Sequence, residues 1–359
     1  MTDETVRVPD PHADLDGYGE ALARLAARDD VAAILPMREV DVYVLARDDD
    51  RFADHVTPTW PDLARLQGAQ DRQRLFAAAD RAGVAAPETR PLDEWDDWDR
   101  ETIVKPRYTF HAPEYDDRFS EAAFHHNSTQ YVERGTEPNV DGLIERMGHV
   151  PLAQACVPDS DEYALFALYD HGDAVATFQH RQRRGYKYVG GPSSFRESID
   201  DPALEAAGTA LLDELDWHGL AMVEFLQHPE TGEYQLMEVN PRLWTSLPFT
   251  VQAGVDMPYY TWLLAQGRQD EIEDDYAVGV AGHLLRGELL YLHSILTEEY
   301  PDQTPPSLAG SAIDIGTSIL RHPRFDYLSL DDPRPFLRDF RNVFGQLLTG
   351  WDTPEIRRQ

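Results

Sequence analysis

A turn-rich stretch between two apolar runs constrains the fold of this chain more than any other feature. The whole segment, residues 221–242, predicts a β-hairpin, because alternating apolar residues flank a cluster of His, Pro, Thr and Gly. A hairpin symmetric about Thr231 places Glu224 directly opposite Glu238. Side chains alternate along a strand, so Asn240 shares the face of Glu238.

These two facing carboxylates predict a metal site. They repel across the strand pair, at Cβ separations of about 4.5–5.5 Å, and apolar neighbours leave them poorly solvated. A hard divalent cation removes that conflict, because it accepts carboxylate and amide oxygens and leaves positions for phosphate. The alternative is solvated surface acid, since the chain carries 65 Asp and Glu. The pairing, and the Glu-x-Asn-Pro-Arg sequence that ends at Arg242, favour a Mg²⁺–nucleotide site at Glu224, Glu238 and Asn240.

Composition narrows the class of protein. The 359 residues carry a net charge of −33, yet 42% are hydrophobic, which excludes a disordered acidic chain. The charge argues against nucleic acid as a partner, because phosphate would be repelled. No apolar stretch reaches the ~20 residues that span a bilayer, and the first residues show no signal peptide. With a single cysteine, Cys156, no internal disulfide can form, so we expect a cytoplasmic protein and a buried thiol rather than a nucleophile.

Two groups of cations stand out against this acidic background. Lys105, one of only two lysines in the chain, ends a predicted strand, where an ammonium group commonly binds phosphate; an ordinary surface lysine is the alternative. The segment 180–191 holds Arg181, Arg183, Arg184 and Lys187 beside flexible glycines. It predicts a mobile loop that binds an anionic substrate or the transferring phosphoryl group, with Arg183 and Arg184 as catalytic candidates. The alternative is a solvated loop that counters nearby acids.

Hydrophobic periodicity predicts alternating helices and strands, with an α/β unit at the front of the chain. Residues 107–128 show no regular pattern and are left unassigned. The proline-rich residues 301–335 are predicted to form a connecting segment. The predicted helices cover residues 15–28, 70–82, 139–147, 202–217, 256–266, 287–297 and 335–349. The predicted strands, besides the hairpin, cover residues 31–35, 42–46, 102–106, 131–132, 152–157, 163–169 and 174–180.

Five segments together resemble the ATP-grasp superfamily, in its carboxylate–amine ligase branch related to carbamoyl-phosphate synthase and biotin carboxylase. They are Ile103–Pro106, Ala153–Val157, Arg181–Gly191, Val223–Phe225 and Met237–Arg242, and their order and spacing match over about residues 15–267. The near-absence of lysine further resembles proteins of halophilic archaea.

The resemblance implies an α/β (α+β) fold with antiparallel sheets, in which ATP lies between two subdomains. It divides the chain into a pre-ATP-grasp α/β domain at 1–75, an N-terminal lid subdomain at 76–155 and a C-terminal subdomain with the metal site at 156–267. Residues 268–359, which it does not match to a function, form a mostly helical extension.

The resemblance also implies roles for single residues. Lys105 matches the lysine on the α-phosphate of ATP, and Glu162, or else Asp161, matches the acid on the ribose. Glu224, Glu238 and Asn240 match the Mg²⁺ ligands, and Arg242 matches a residue that binds phosphate or the reacting carboxylate. Four consecutive residues match the hinge strand whose backbone hydrogen-bonds to adenine: Gln154, Ala155, Cys156 and Val157.

The implied activity is ATP-dependent formation of a carbon–nitrogen bond through an acyl phosphate, with Mg²⁺ or Mn²⁺ as metal and a small carboxylate and an amine as substrates. One departure leaves alternatives open, because residues 107–130 contain neither the second lysine nor the glycine-rich flap of many members. Either arginines or histidines replace that lysine, or the lid works differently, or activity is impaired. A regulatory or assembly protein that binds ATP without turnover, and a ligase acting on a protein tail, are the rival functions. We expect no nucleic-acid or membrane partner, and a homodimer remains open.

Overall fold

The computed structural model describes residues 4–119, 129–157, 160–300 and 303–349, and these form two antiparallel sheets surrounded by helices. The described strands are β1 Thr89–Pro91, β2 Thr102–Lys105, β3 Gln130–Val132, β4 Leu152–Ala155, β5 Asp161–Asp170, β6 Asp173–Lys187, β7 Gly190–Ser198, β8 Gly219–Gln227, β9 Tyr234–Asn240 and β10 Ala281–His283. The described α-helices are α1 Leu15–Ala26, α2 Glu39–Arg47, α3 Asp49–Ala53, α4 Leu63–Gln70, α5 Arg72–Ala82, α6 Val140–Met147, α7 Pro202–Glu214, α8 Leu247–Ala253, α9 Met257–Ala265, α10 Leu285–Thr297, α11 Leu308–Arg321 and α12 Arg334–Thr349.

The smaller sheet has the strand order β1-β4-β2-β3, and the larger sheet has the order β10-β7-β6-β5-β8-β9. Every neighbouring pair is antiparallel. The predicted class of mixed helices and antiparallel sheets is therefore confirmed. The predicted hairpin is the edge pair β8–β9 of the larger sheet, and the predicted strand before Pro106 is β2.

The larger sheet is buried on both faces. Leu165 of β5 packs with Leu211 of α7 and Trp217 on one face, whereas Phe166 packs with Phe249 of α8 on the other. This explains why residues 163–169 form a continuous apolar run, since a strand covered on both sides loses the usual alternation. Gly208 of α7 allows the close approach, because a Cβ there would lie 2.2 Å from the Leu165 Cδ2.

The N-terminal region corrects two strand predictions. Residues 31–35 have no regular structure, and residues 42–46 belong to α2. Val42 to Leu45 are 0% exposed, because α2 is covered by α1, by α4 and by side chains of residues 108–115. A short helix buried all round has no polar face, so its apolar run cannot be distinguished from a buried strand by pattern alone. Residues 4–75 therefore contain helices and, among the residues described there, no strand.

Two further predictions fail in the second half of the chain. The stretch 301–335 contains α11, whose 14 residues the proline-rich surroundings concealed. The arginine-rich segment 181–187 is not a loop, because β6 continues through it to Lys187 and pairs with β7. Across the described ranges, no helix has the length and apolar character needed to traverse a bilayer.

Candidate active site

The hairpin β8–β9 brings its two glutamates into register, as predicted. Glu224 pairs with Glu238, while one step further out Phe225 pairs with Leu236. Met237 is therefore an extra residue, a β-bulge in β9. If the register observed near the turn continued, Glu224 would face Met237, so the bulge shifts the pairing by one residue and sets the two carboxylates opposite each other.

Three oxygen-bearing side chains converge on this face. The Asn240 Nδ2 atom lies 3.4 Å from the Glu224 Oε2 and 3.3 Å from the Glu238 Oε1. Burial, reinforced by the Glu238 charge, raises the pKa of Glu224 well above its ordinary value. The Glu238 side chain is 35% exposed, and its partial burial acts to raise its pKa. The positive charges of Arg72 and Lys105 have the larger effect and lower the pKa of Glu238 to about 2.

The two pKa shifts are opposed: the pKa of Glu224 is raised by burial and by the charge of Glu238, whereas the pKa of Glu238 is lowered by the nearby cations. This is the conflict expected of two carboxylates in one site. Two carboxylates and an amide form a donor set of the kind that Mg²⁺ accepts. The residues present therefore fit the metal.

Arg72 belongs to this site, and the sequence did not single it out. Its Nη2 donates to the Glu238 Oε2 at 2.9 Å, and its Nη1 donates to the Pro106 carbonyl at 3.0 Å. Arg72 begins α5, and its partner lies 166 residues further along the chain. No local pattern connects residues so far apart, so only the packing of α5 against β9 reveals the contact.

Lys105 lies at the end of β2, opposite Leu152 of β4. Burial, aided by repulsion from Arg72, lowers its pKa to about 8, although Glu238 and Glu224 act in the opposite direction. The ammonium group therefore stays mostly charged at neutral pH and faces the field of both metal-site carboxylates. Its role as a phosphate-binding cation stays a prediction.

Arg242 is held beside the metal site by a second unpredicted residue, Glu39 of α2. The Arg242 Nε lies 2.9 Å from the Glu39 Oε1, and its Nη2 donates to the Asn240 Oδ1 at 3.4 Å. Gln70 donates to the other Glu39 oxygen at 2.7 Å. Burial raises the pKa of Glu39, although Arg242 opposes the shift. Two residues of the N-terminal helices thus orient side chains of the predicted site: Glu39 orients Arg242, and Arg72 orients Glu238.

A cleft of about 1890 Å³ lies between the two sheets and is lined by Glu39 and Arg242 as well as by the metal-site residues, whereas Lys105 and Arg72 are not part of its wall. The predicted site residues on its wall are Glu224, Glu238, Asn240, Arg242, Glu162, Cys156 and Val157. Burial raises the pKa of the Cys156 thiol to about 11, which suits an inert thiol rather than a nucleophile.

The predicted hinge residues divide into two pairs. Cys156 and Val157 face the cleft, but Gln154 and Ala155 do not line it. The Gln154 side chain donates to the Thr89 Oγ1 at 2.8 Å, on the opposite side of β4. Any contact of Gln154 or Ala155 with a nucleotide would therefore have to come from the backbone.

Glu162, rather than Asp161, faces the cleft. Gln182 donates to the Glu162 Oε2 at 2.5 Å, and burial raises the pKa of Glu162 to about 7. Asp161 points the other way and binds Arg181 at 2.5 Å. The alternation of β5 therefore puts Glu162, and not Asp161, on the cleft wall, while contact of Glu162 with the ribose stays a prediction.

Arg183 and Arg184, expected as catalytic residues, are not part of the cleft wall, which corrects that expectation. Arg183 binds Glu197 of β7, and Arg184 is buried against Glu288 of α10 at 2.7 and 2.9 Å. Simple alternation would put Arg184 on the face of Gln182, but the pairing of β6 with β7 shifts at Arg183. Gln182 therefore lines the cleft while Arg184 is turned towards α10. Lys187, at the end of the strand, binds Glu298 at 3.0 Å.

The segment predicted to lack a flap is described only in part, because residues 120–128 lie outside the described ranges. Arg107 forms a bidentate pair with Asp71, and Tyr108 and Phe110 pack in the core beneath α2. Residues 107–112 thus pack against the N-terminal helices and are part of their core.

Residues 173–272 match a protein family described as the carbamoyl-phosphate synthase L chain, ATP binding domain. No curated protein matches the chain. The similar solved structures include a biotin carboxylase–beta-gamma-ATP complex from Campylobacter jejuni, with a TM-score of 0.53 and 14% identity over 74% of this chain and 62% of that one. An L-amino acid ligase from Bacillus licheniformis has a TM-score of 0.55 and 13% identity, over 77% of this chain and 66% of that one.

A third similar structure is the biotin carboxylase domain dimer of Hydrogenobacter thermophilus 2-oxoglutarate carboxylase, in complex with MgADP, ADP and bicarbonate. Its TM-score is 0.52 and its identity 15%, over 74% of this chain and 61% of that one. This chain thus spans less than two thirds of the length of all three structures. At these identities the likeness shows a shared fold.

Proposed function

We propose that this chain is an ATP-grasp protein and that it acts as a Mg²⁺-ATP-dependent ligase that joins a carboxylate to an amine. The observation that carries the proposal is the convergence of Glu224, Glu238 and Asn240 on one wall of the cleft. A carboxylate pair held in such conflict costs stability, and a bound cation relieves it.

Nearby cations and further residues of the cleft wall would bind the phosphates and the adenosine of ATP. Lys105 and Arg242 lie beside the metal site, where they would bind phosphate oxygens and stabilise charge during phosphoryl transfer. Cys156, Val157 and Glu162 line the same cleft and would hold the adenosine end. The relatives described as complexes with beta-gamma-ATP and with MgADP support this assignment.

The proposed reaction has two steps. An oxygen of the substrate carboxylate attacks the γ-phosphorus in line, which breaks the bond to the bridging oxygen and gives an acyl phosphate and ADP. The amine then attacks the acyl carbon, phosphate leaves, and the nitrogen loses a proton. Mg²⁺, held by Glu224, Glu238 and Asn240, would neutralise the β- and γ-phosphate oxygens. Arg72 fixes Glu238 in its ionised form and so prepares that ligand.

Hydroxylamine tests the first step, because it traps an acyl phosphate as a hydroxamate. We expect ADP and hydroxamate to form together with at least one member of a broad panel of carboxylic acids, in high KCl. ADP release that is independent of every acid, with no hydroxamate, would exclude the ligase proposal.

A nucleotide-binding protein without turnover is the second candidate. Tyr108 and Phe110 favour it, because they commit the start of the expected flap segment to the N-terminal core. Saturable Mg²⁺-ATP binding without ADP release from any acid would support this candidate. The dimer described for the Hydrogenobacter domain makes a homodimer a prediction here as well, which sedimentation at several protein concentrations would test.

A further inference from the structure

We propose that the carboxylate substrate carries a second anionic group, and that Arg338 and Arg341 of α12, together with Arg286 of α10, bind it. The inference rests on the proposed function and names the substrate class of the same cleft. It assigns a role to the C-terminal extension, which the sequence left without one.

The three arginines line the same cleft as the metal site. At about 1890 Å³ the cleft is larger than the roughly 300–1,000 Å³ of a typical small-molecule site. A nucleotide therefore leaves room for a second ligand, and the wall formed by α10 and α12 is where that ligand would meet the extension.

The charge of this wall is opposite to that of the protein. The chain has 65 acidic and 32 basic residues, yet the charged cleft-lining residues among the described part of the extension are Arg286, Arg338 and Arg341. The acids that line the cleft all belong to earlier parts of the chain: Glu39, Glu101, Glu133, Glu162, Glu224 and Glu238. A local cluster of arginines on one wall of such an acidic protein fits an anionic ligand.

The arginines keep hydrogen-bonding capacity for that ligand. Arg338 and Arg341 form no ion pair with any carboxylate that the structure describes. Arg286 lies 3.5 Å from Asp339 and donates to the Tyr186 hydroxyl at 3.2 Å, but its buried Nε has no hydrogen-bond partner in the described part of the chain. An unsatisfied buried donor is costly, and a bound anion would satisfy it.

Helical spacing places the two arginines of α12 side by side. Residues three apart share a helix face with about 5–6 Å between their Cβ atoms, so both guanidinium groups can reach one carboxylate or phosphate. The reacting carboxylate must lie at the γ-phosphate, beside Arg242. Arginines on the wall formed by the extension would thus bind a second anionic group of the same molecule.

The packing of α10 fixes this wall in place. A Cβ at Gly287 would lie 2.6 Å from the Ser194 Cβ and 2.7 Å from the Tyr186 Cε1, so glycine lets the helix lie directly on β6 and β7. The buried Arg184–Glu288 ion pair also joins this helix to β6. The arginine-rich strand therefore positions the extension instead of binding the anion itself.

A binding experiment tests the anion site without turnover. The probe is tricarballylate, a tricarboxylate, titrated calorimetrically into the full-length protein saturated with Mg²⁺ and a non-hydrolysable ATP analogue, with butyrate as the single-carboxylate comparison. We expect tricarballylate to bind more tightly than butyrate and to weaken as KCl is raised. Arg338→Gln/Arg341→Gln should weaken tricarballylate binding at least about tenfold and leave the affinity for the ATP analogue within about twofold.

The matched control is Arg321→Gln/Arg334→Gln, which removes the same charge from α11 and α12 at positions outside the cleft wall. It should bind tricarballylate like the wild-type protein. Absence of tricarballylate binding to the wild type, or equal binding by all three proteins, would overturn the anion site. Intact binding with no acid-dependent ADP release would leave the anion site standing and contradict the ligase proposal.

Discussion

Two segments of the larger sheet concentrate like charges, and the structure treats them in opposite ways. The hairpin β8–β9 sets Glu224 against Glu238 on the cleft wall, where burial and the charge of Glu238 raise the pKa of Glu224. Strand β6 turns Arg183 and Arg184 away from the cleft, and carboxylates neutralise both: Glu197 for Arg183, and Glu288 with Asp314 for Arg184. A cluster of like charges therefore does not by itself identify a functional site. Like charges that face each other without a counter-charge for each are the better indicator.

Removing one carboxylate of the hairpin should have the largest effect. Glu238→Gln keeps the shape of the side chain but removes the charge that Arg72 holds ionised, so we expect Mg²⁺-dependent ATP turnover to fall by about 100-fold or more. Glu233→Gln, at an exposed position in the turn of the same hairpin, should leave turnover unchanged. Activity retained in Glu238→Gln would remove Glu238 from the metal site.

Substitutions of the arginines in β6 should lower the stability of the fold and leave turnover largely unchanged. Arg184→Leu removes the guanidinium group from the buried Glu288, whose other described partner is His283 at 2.7 Å, and we expect the free energy of unfolding to fall by about 3 kcal/mol. Arg183→Gln breaks a more exposed pair and should cost no more than about 1 kcal/mol. Denaturant unfolding measures both values. If Arg184→Leu instead left stability intact and abolished turnover, the contrast between the two segments would be wrong.

Arg72 connects the N-terminal helices to the hairpin, and its removal sharpens the comparison. Arg72→Gln takes away the cation nearest to Glu238, so the pKa of Glu238 should rise and Mg²⁺ affinity should fall by roughly 10- to 100-fold. Arg74→Gln on the same helix is the control, because its side chain is 54% exposed and contacts Asp71. Equal Mg²⁺ affinity in the two variants, measured by calorimetry, would contradict the role of Arg72.

The pH dependence of ATP affinity tests Lys105. Because its pKa is lowered to about 8, the ammonium group is charged below that pH and loses its proton above it. A bound phosphate favours the charged form, so ATP affinity should fall by about tenfold between pH 7 and pH 9. Lys105→Arg stays charged throughout and should show little decline. A wild-type affinity that is constant from pH 7 to pH 9 would show that Lys105 does not contact phosphate.

The parts of the site that sequence reasoning predicted are those defined by local pattern. The turn-rich stretch and the flanking alternation indicate the hairpin, so Glu224 facing Glu238 follows within 15 residues of chain. Lys105 stands out because it ends a strand in a chain with two lysines. The bulge at Met237 was not visible, although the symmetric hairpin reached the same pairing without it.

The errors have physical reasons as well. Val42 to Leu45 resemble a strand because a helix buried on all sides carries no polar stripe. Arg183 and Arg184 resemble a binding loop because their partners, Glu197 and Glu288, lie on other elements. Arg72 and Glu39 gave no signal, since neither forms a local motif with the residue that it orients.

The amino-acid sequence by itself determined the antiparallel hairpin, the acids that it pairs and the mixed fold around it, because strand alternation and turn chemistry act between near neighbours. Only the tertiary structure decided which charges remain available for ligands. Arg184 is neutralised by a helix 104 residues away, whereas Arg338 and Arg341 line the cleft with no described carboxylate partner. Electrostatic interactions depend on distance in space and on burial, and the order of residues along the chain specifies neither directly.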